Sequence, residues 1–188
     1  MTSVDDRVSR RSEPWVGEVI VDRESIRRRV AELAVEIDAA CAGCERPLVL
    51  ICVLKGSLVF TADLARALTV PVEIDFVACR SYGEGATSSG SVELVKDVST
   101  PLRDRDVLMV EDIIDTGLTT AFLREHLASH RPHSLRLVAL LDKTARRRRQ
   151  VALDFRGFEI PDRFVVGYGL DLAERYRNLP DVHLLEGV

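Results

Sequence analysis

Apolar runs alternate with amphipathic stretches along most of the chain. In residues 22–40 the apolar positions recur at helical spacing, and Asp22 is placed to cap that helix. The stretches 57–68 and 118–130 are also predicted helices. Continuous apolar runs typical of buried strands occur at 47–54, 72–81, 106–113 and 134–142. Shorter strand-like segments occur at 91–98, 164–170 and 182–186.

This alternation predicts an α/β fold in which helices cover both faces of a parallel sheet. Open sheets of this kind bind ligands beyond the carboxyl ends of their strands. Ligand-binding residues are therefore expected where the apolar runs end. The chain shows no internal repeat, so a repeat architecture is not predicted.

Composition narrows the class of protein. The chain has 188 residues, of which 46% are hydrophobic and 30% charged, enough for one domain with a substantial core. The formal net charge of -4 gives no global basic field for nucleic acid. No apolar run could span a bilayer, and residues 1–14 form a polar segment without a signal-peptide core, which we interpret as a flexible arm.

The four cysteines predict no disulfide or zinc site. Cys41 and Cys44 form a CxxC that closes a helical pattern, whereas a redox CxxC is expected to open a helix. Cys52 and Cys79 lie in apolar runs and are expected in the core. Reduced thiols are typical of a cytoplasmic protein.

The stretch DVLMVEDIIDTGLTT, residues 106–120, places acids at the end of a buried strand. Carboxylates at Glu111 and Asp112 could accept hydrogen bonds from the hydroxyls of a sugar. The following run, 115–120, leads into a helix whose first N–H groups could hold an anion. Together they predict a ribose 5-phosphate site, but ordinary helix capping by Asp115 or Thr119 fits the spacing equally well.

The stretch resembles the phosphoribosyl diphosphate (PRPP) signature of type I phosphoribosyltransferases. Four more stretches make the chain similar to the hypoxanthine-guanine phosphoribosyltransferases, in the family's order from about residue 15 to the end: VLKGS, SYG, LLDKTARR and PDRFVVGYGLD with ERYRNLP. The resemblance implies one domain over 15–188, with a small hood formed from both termini. It also implies transfer of the phosphoribosyl group from PRPP to N9 of hypoxanthine or guanine, giving IMP or GMP and pyrophosphate in purine salvage.

The resemblance assigns the PRPP-binding residues. Glu111 and Asp112 would bind the ribose hydroxyls, and Asp115 would take the proton at purine N7. The 5-phosphate would be held by Thr116, Gly117, Leu118, Thr119 and Thr120. The family often has lysine where this chain has Leu118, which leaves backbone donors at that position.

Pyrophosphate and metal binding are implied at three further places. In the family a non-proline cis peptide at Lys55 and Gly56 turns a backbone N–H towards pyrophosphate; the alternative is a plain turn before a helix capped by Ser57. Arg177 would also bind pyrophosphate. Mg²⁺ is the implied cofactor, with three candidate ligands: Glu111, Asp112 and Asp171.

The purine site and a lid complete the implied set. Lys143 would donate to the 6-oxo group, Phe164 would stack on the base, and Val165 and Asp171 would lie at the purine. Phe164 as a simple core residue is the alternative. Residues 81–90 resemble the family's lid, matched at Ser81 and Tyr82, although a plain surface loop is also possible. The family often has lysine where this chain has Arg163.

Two further patterns could indicate a nucleic-acid patch and a zinc site, but simpler interpretations suit them better. Arg146–Arg149 could be a nucleic-acid patch, but a solvated, interface-lining or phosphate-attracting segment suits an acidic chain better. His126 and His130 have the spacing of zinc ligands, but Leu127 stands where H-E-x-x-H needs glutamate, so no metal is predicted there. A PRPP-binding regulator that acts on nucleic acid is the second function considered. We expect a homodimer or homotetramer that binds neither nucleic acid nor membrane.

Overall fold

The computed structural model describes residues 14–81 and 92–187. In chain order its elements are β1 (Trp15–Val21), α1 (Arg23–Ala40), β2 (Leu48–Leu54), α2 (Leu58–Ala67), β3 (Val72–Ser81), β4 (Val92–Lys96), β5 (Asp106–Ile114), α3 (Leu118–Ser129), β6 (Ser134–Asp142), a 3-10 turn (Thr144–Arg146), β7 (Phe155–Glu159), β8 (Val165–Val166) and β9 (Val182–Glu186).

The central sheet has six strands in the order β4-β3-β2-β5-β6-β7. All neighbouring strands are parallel except the β3–β4 pair, which is antiparallel. Side chains of β2 alternate between two cores: Leu48 and Leu50 pack with α1 and α2, whereas Val49 and Ile51 pack with α3. The predicted α/β fold with helices on both faces is confirmed.

A second, smaller sheet joins the two ends of the described chain. Its order is β1-β9-β8, and both pairings are antiparallel. The backbone N–H of Arg23 donates to Asp181 Oδ1 at 2.7 Å, and its guanidinium bonds Asp181 Oδ2 at 2.7 Å. These contacts fix the small sheet to the start of α1, and this sheet contains the terminal segments from which the family resemblance implied a hood.

Two strand predictions needed correction, and two strands were not predicted. The strand predicted over 164–170 is only Val165–Val166, because Gly167 and Gly169 take φ of 99° and 103°, which turns the chain away from extended structure. Strand β5 continues to Ile114, past the predicted end, since Ile113 and Ile114 still pair with β6. Strands β1 and β7 have short, mixed patterns that did not identify them.

Other predictions lie partly or wholly outside the described residues. The arm at 1–14 is described only at Pro14, and the lid at 81–90 lies outside from Tyr82 onward. All four cysteines are free, as predicted, and Cys52 lies in the core. Of the helices described, none has the length and apolar character that crossing a membrane requires.

Candidate active site

The turn after β2 and the acids of β5 are in direct contact. Strands β2 and β5 are parallel neighbours, with Cys52 opposite Val110, so Lys55–Gly56 lies beside Asp112. The Leu54–Lys55 peptide is cis, as the resemblance implied. A Cβ at Gly56 would lie 1.7 Å from Asp112 Oδ2, so a side chain there would have to displace the Asp112 carboxylate. Ser57 makes no capping bond to α2 and instead donates to Val53 O at 2.7 Å.

Glu111 and Asp112 leave β5 on opposite faces, as neighbouring strand residues must. Glu111 is buried on the α3 side, where Thr120 Oγ1 donates to Glu111 Oε1 at 3.4 Å. Burial, together with the charge of Asp112, raises the pKa of Glu111 well above its usual value. Burial also raises the pKa of Asp112 to about 6, although backbone N–H groups and Arg177 oppose the rise. Both acids therefore have too few donors for their burial.

The loop after β5 leaves the start of α3 without a side-chain cap. The N-cap position is Gly117, with φ 80°, and neither Asp115 nor Thr119 makes the capping bond that was the alternative interpretation. A Cβ at Gly117 would lie 2.5 Å from Arg149 O. The Leu118 N–H donates to Thr116 Oγ1 at a long 3.5 Å, so this bond would be exchanged readily for one to an anion, which favours the phosphate cradle.

The basic segment Arg146–Arg149 packs over the loop that follows β5. Backbone N–H groups of Arg148 and Arg149 donate to Thr116 O at 2.9 and 3.0 Å. The Arg146 guanidinium lies between two acids, 3.2 Å from Asp115 Oδ2 and 3.5 Å from Asp162 Oδ1. The segment thus borders the candidate phosphate loop.

Lys143 lies at the end of β6, beside the same loop. Its backbone N–H donates to Ile114 O at 2.9 Å, and the residue is only 5% exposed. Burial lowers the pKa of Lys143, while the charges of Asp115 and Asp162 oppose that change. Phe164 is 41% exposed, so it is not the simple core residue that was its alternative. Val165, next to it, is buried in β8.

The segment after β8 brings a charged network to the cis-peptide turn. Gly169 approaches so closely that a Cβ there would lie 2.0 Å from Gly56 O. Arg177 Nη2 lies 2.8 Å from Asp171 Oδ1 and 3.0 Å from Glu174 Oε2. Lys55 Nζ lies 2.8 Å from Glu174 Oε1, so Glu174 links the two ends of the site.

Sequence reasoning did not place Asp162 or Glu174 in the candidate site, and it treated Arg146 only as part of a basic segment. Glu174 stands three residues from both Asp171 and Arg177, a spacing that could have identified it as their partner. Arg146 and Asp162 carry no such local signal, because they meet Asp115 only through the packing of separate loops.

The three predicted magnesium ligands do not form a preassembled cluster. Among the described residues, only Asp97, His126 and His130 bring three potential ligand atoms within 4.8 Å of one another. Glu111, Asp112 and Asp171 stand farther apart, although Asp171 is close enough to Asp112 to raise its pKa. Any ion shared by these acids would need oxygen atoms from a ligand as well.

Comparison with known proteins identifies the class. The model of the phosphoribosyl transferase domain family matches residues 17–173. The chain therefore belongs to the phosphoribosyltransferase family, and within it to the hypoxanthine-guanine phosphoribosyltransferases, as the motifs indicated.

The relatives behind this placement are similar over nearly their whole length. The hypoxanthine-guanine phosphoribosyltransferase of Aquifex aeolicus is 44% identical over 89% of this chain and 94% of its own. The hypoxanthine phosphoribosyltransferase of Salmonella typhimurium is 46% identical over 88% and 93%. A crystal structure of the Bacillus anthracis hypoxanthine-guanine enzyme, with HEPES in its active site, superposes with a TM-score of 0.85 at 42% identity, covering 90% of this chain and 99% of that one.

Proposed function

We propose that this protein transfers the 5-phosphoribosyl group of PRPP to N9 of hypoxanthine or guanine, giving IMP or GMP and pyrophosphate in purine salvage. The observation that carries the proposal is the meeting of three chemically different features at one sheet edge. These are the under-hydrogen-bonded acids Glu111 and Asp112, the uncapped start of α3, and the buried cation Lys143.

PRPP would lie across the carboxyl ends of β2 and β5. Its 5-phosphate fits the loop of Thr116, Gly117, Leu118 and Thr119, where Leu118 contributes its backbone N–H. The ribose hydroxyls would supply the donors that Glu111 and Asp112 lack. Pyrophosphate would lie against the Lys55–Gly56 backbone, with Arg177 donating from the opposite side.

Mg²⁺ suits this acid set. The ion prefers oxygen ligands, keeps several waters, and is usually held by one or two carboxylates together with substrate phosphates. The spacing of Asp112, Asp171 and Glu111 fits such shared binding better than an all-protein cage. When bound, Mg²⁺ would neutralise charge on the departing pyrophosphate. Arg177, which now pairs with Asp171 and Glu174, would then exchange its contact with Asp171 for one with pyrophosphate.

The purine would enter between Lys143 and Phe164. A buried lysine donates to a 6-oxo group but not to the 6-amino group of adenine, and a donor left unpaired in a buried site rejects the wrong base strongly. The charges of Asp115 and Asp162 favour the protonated form of Lys143 that this contact needs. Half-exposed Phe164 offers a face for stacking, and the Val165 backbone and Asp171 would lie at the purine edge.

Asp115 is placed to receive the N7 proton. Its Oδ1 is buried without a hydrogen-bond partner among the described residues, while its Oδ2 is held by Arg146. A buried carboxylate oxygen with no donor costs free energy, which a ligand N–H would offset. Inversion at C1 would pass through a ribosyl oxocarbenium-like state that water must not reach. We assign that exclusion to the lid at 81–90, through Ser81 and Tyr82.

The remaining parts of the proposal concern organisation. We propose that residues 15–188 act as one catalytic domain with its hood, and that the protein works as a homodimer or homotetramer. Light scattering at assay concentrations measures the assembly directly.

A turnover assay tests the function. Purified protein with PRPP, Mg²⁺ and hypoxanthine or guanine should form IMP or GMP, whereas adenine should give no nucleotide. Lys143→Ala should lose purine binding while keeping its circular dichroism spectrum and its PRPP binding. Comparable kcat/KM for adenine and hypoxanthine would overturn the 6-oxopurine assignment, and no turnover with any purine would overturn the transferase itself.

A further inference from the structure

We propose that Asp97, His126 and His130 form a second metal site, which binds a zinc-like divalent transition metal and is separate from the proposed magnesium site. The three residues offer ligand atoms that all lie within 4.8 Å of one another at an accessible surface. None of them takes part in the proposed transfer reaction.

The two histidines come from one face of α3. They are four residues apart, so they project side by side, and their ring centroids are 5.2 Å apart in an edge-on arrangement. The third ligand comes from a different element: Asp97 directly follows β4, and its Oδ1 lies 2.8 Å from His126 Nε2. The helix itself supplies no carboxylate beside the two histidines, but the tertiary structure brings Asp97 to them.

Neighbouring contacts hold the ligands in place. Phe122 stacks on His126 with ring centroids 6.5 Å apart and an interplanar angle of 11°, which restricts rotation of that imidazole. The chain after Asp97 is fixed because buried Asp75 accepts the N–H groups of Ser99 and Thr100 at 2.6 and 2.7 Å. A site whose ligands are already oriented loses less conformational entropy when the metal binds.

The ligand set selects the class of metal. Two imidazoles and one carboxylate are typical of zinc sites that leave a fourth position for water, with bonds of about 2.0–2.2 Å. Tetrahedral ligands at those distances stand roughly 3.3 Å apart, so the site needs only small side-chain rotations. Magnesium is disfavoured because it requires oxygen ligands.

A simple ion pair between Asp97 and His126 is the competing explanation for the geometry. That explanation leaves His130 only as an edge-on ring neighbour of His126, since it makes neither of the bonds described for the Asp97 carboxylate. A bound ion would instead join the end of β4 to α3 through all three residues. His130 is therefore the position that separates the two explanations.

Calorimetric titration of the full-length, chelator-treated protein with ZnCl₂ tests the proposal. We expect one Zn²⁺ per chain and an increase in melting temperature, with no comparable binding of MgCl₂ at this site. His130→Ala should weaken zinc binding at least tenfold. His133→Ala, a change at an exposed histidine outside the cluster, should leave it unchanged.

Three outcomes would overturn the site. The first is equal zinc affinity in His130→Ala and the unchanged protein, which would reduce the cluster to an ion pair. The second is loss of zinc binding in Cys44→Ser, which would locate the metal at the CxxC. The third is titration that does not saturate by about 1 mM Zn²⁺, which would mean only weak, non-specific association. Phosphoribosyl transfer is assayed separately, so failure here leaves the proposed function untouched.

Discussion

Two buried acids of the central sheet, Asp75 and Glu111, differ in how their charges are stabilised. Asp75 in β3 is 4% exposed, yet its pKa is lowered to about 2. Burial alone would raise that pKa, but backbone N–H groups of Thr100, Phe76 and Ser99 outweigh it. Glu111 in β5 is equally buried at 4%, and its described bond, from Thr120, is long at 3.4 Å. Its pKa rises well above the usual value.

The difference distinguishes an acid that stabilises the fold from an acid of the proposed ligand site. A buried carboxylate that accepts several backbone N–H groups is stable as an anion and fixes the chain around it. A buried carboxylate with few donors is costly, and such groups concentrate at functional sites. Burial alone would not have separated Asp75 from Glu111, but the count of donors does.

The largest effect should come from the site acid nearest the proposed proton transfer. Asp115→Asn keeps the shape but cannot take the N7 proton, so kcat should fall about 10²–10⁴-fold. The KM for PRPP should change far less, and the melting temperature should stay within a few degrees. Steady-state kinetics with thermal melting measures both. A variant with near-normal kcat would remove Asp115 from its assigned role.

Asp75→Asn should show the opposite pattern, with stability reduced and turnover retained. The lowered pKa stabilises the fold by about 2 kcal/mol when the acid is ionised. This contribution is complete above the unfolded value near 3.8 and is lost as pH falls towards about 2. Urea unfolding at pH 7 and at pH 3 measures it. An unfolding free energy at pH 7 equal to that of the unchanged protein would contradict the structural role.

Asp112 should make PRPP binding depend on pH. Because its pKa is raised to about 6, the carboxylate is ionised above that pH and protonated below it. Binding of Mg²⁺ and PRPP should thus be strongest above pH 6 and weaken by up to about tenfold per pH unit below, or about 1.4 kcal/mol. Fluorescence or calorimetric titration between pH 5 and 8 measures the profile.

Two variants isolate the source of that profile. Asp112→Asn should bind PRPP weakly with a much smaller inflection near pH 6, because only the 5-phosphate of PRPP, whose second pKa is also about 6, still titrates there. Glu111→Gln should keep the full inflection because Asp112 is intact. An inflection of unchanged size in Asp112→Asn would assign it to another group.

The smallest effect should come from Leu118, the position at which the family resemblance led us to expect lysine. Leu118 is 38% exposed at the first position of α3, and Leu118→Lys would add a cation near the 5-phosphate. The helix start disfavours a cation by a few tenths of a kcal/mol, which offsets part of the gain. We expect KM for PRPP to fall only about twofold, with Leu118→Met unchanged. A tenfold change would mean that the side chain, and not the backbone, dominates phosphate binding.

The sequence by itself determined that most of the central strands are buried with helices on both faces, and it located one half of the candidate site. Apolar period and length identify these elements, because a strand covered on both faces has a continuous apolar run and a surface helix has apolar residues on one face. The same pattern places Glu111 and Asp112 near a strand end and 115–120 before a helix. The local sequence is enough to predict these features, because each depends on residues within a few positions of one another.

Only the tertiary structure decided which of these groups meet. Lys55 and Glu174 are 119 residues apart in sequence, yet they form an ion pair, and Arg146 reaches Asp115 from a separate loop. Asp97 joins His126 in the same way, which turned a helical histidine pair into a candidate metal site. Hydrophobic periodicity fixes which face of an element is buried, but it carries no record of which distant polar groups share that burial. For Asp75 and Glu111, the hydrogen-bond donors that reach each carboxylate decide whether its pKa is lowered or raised.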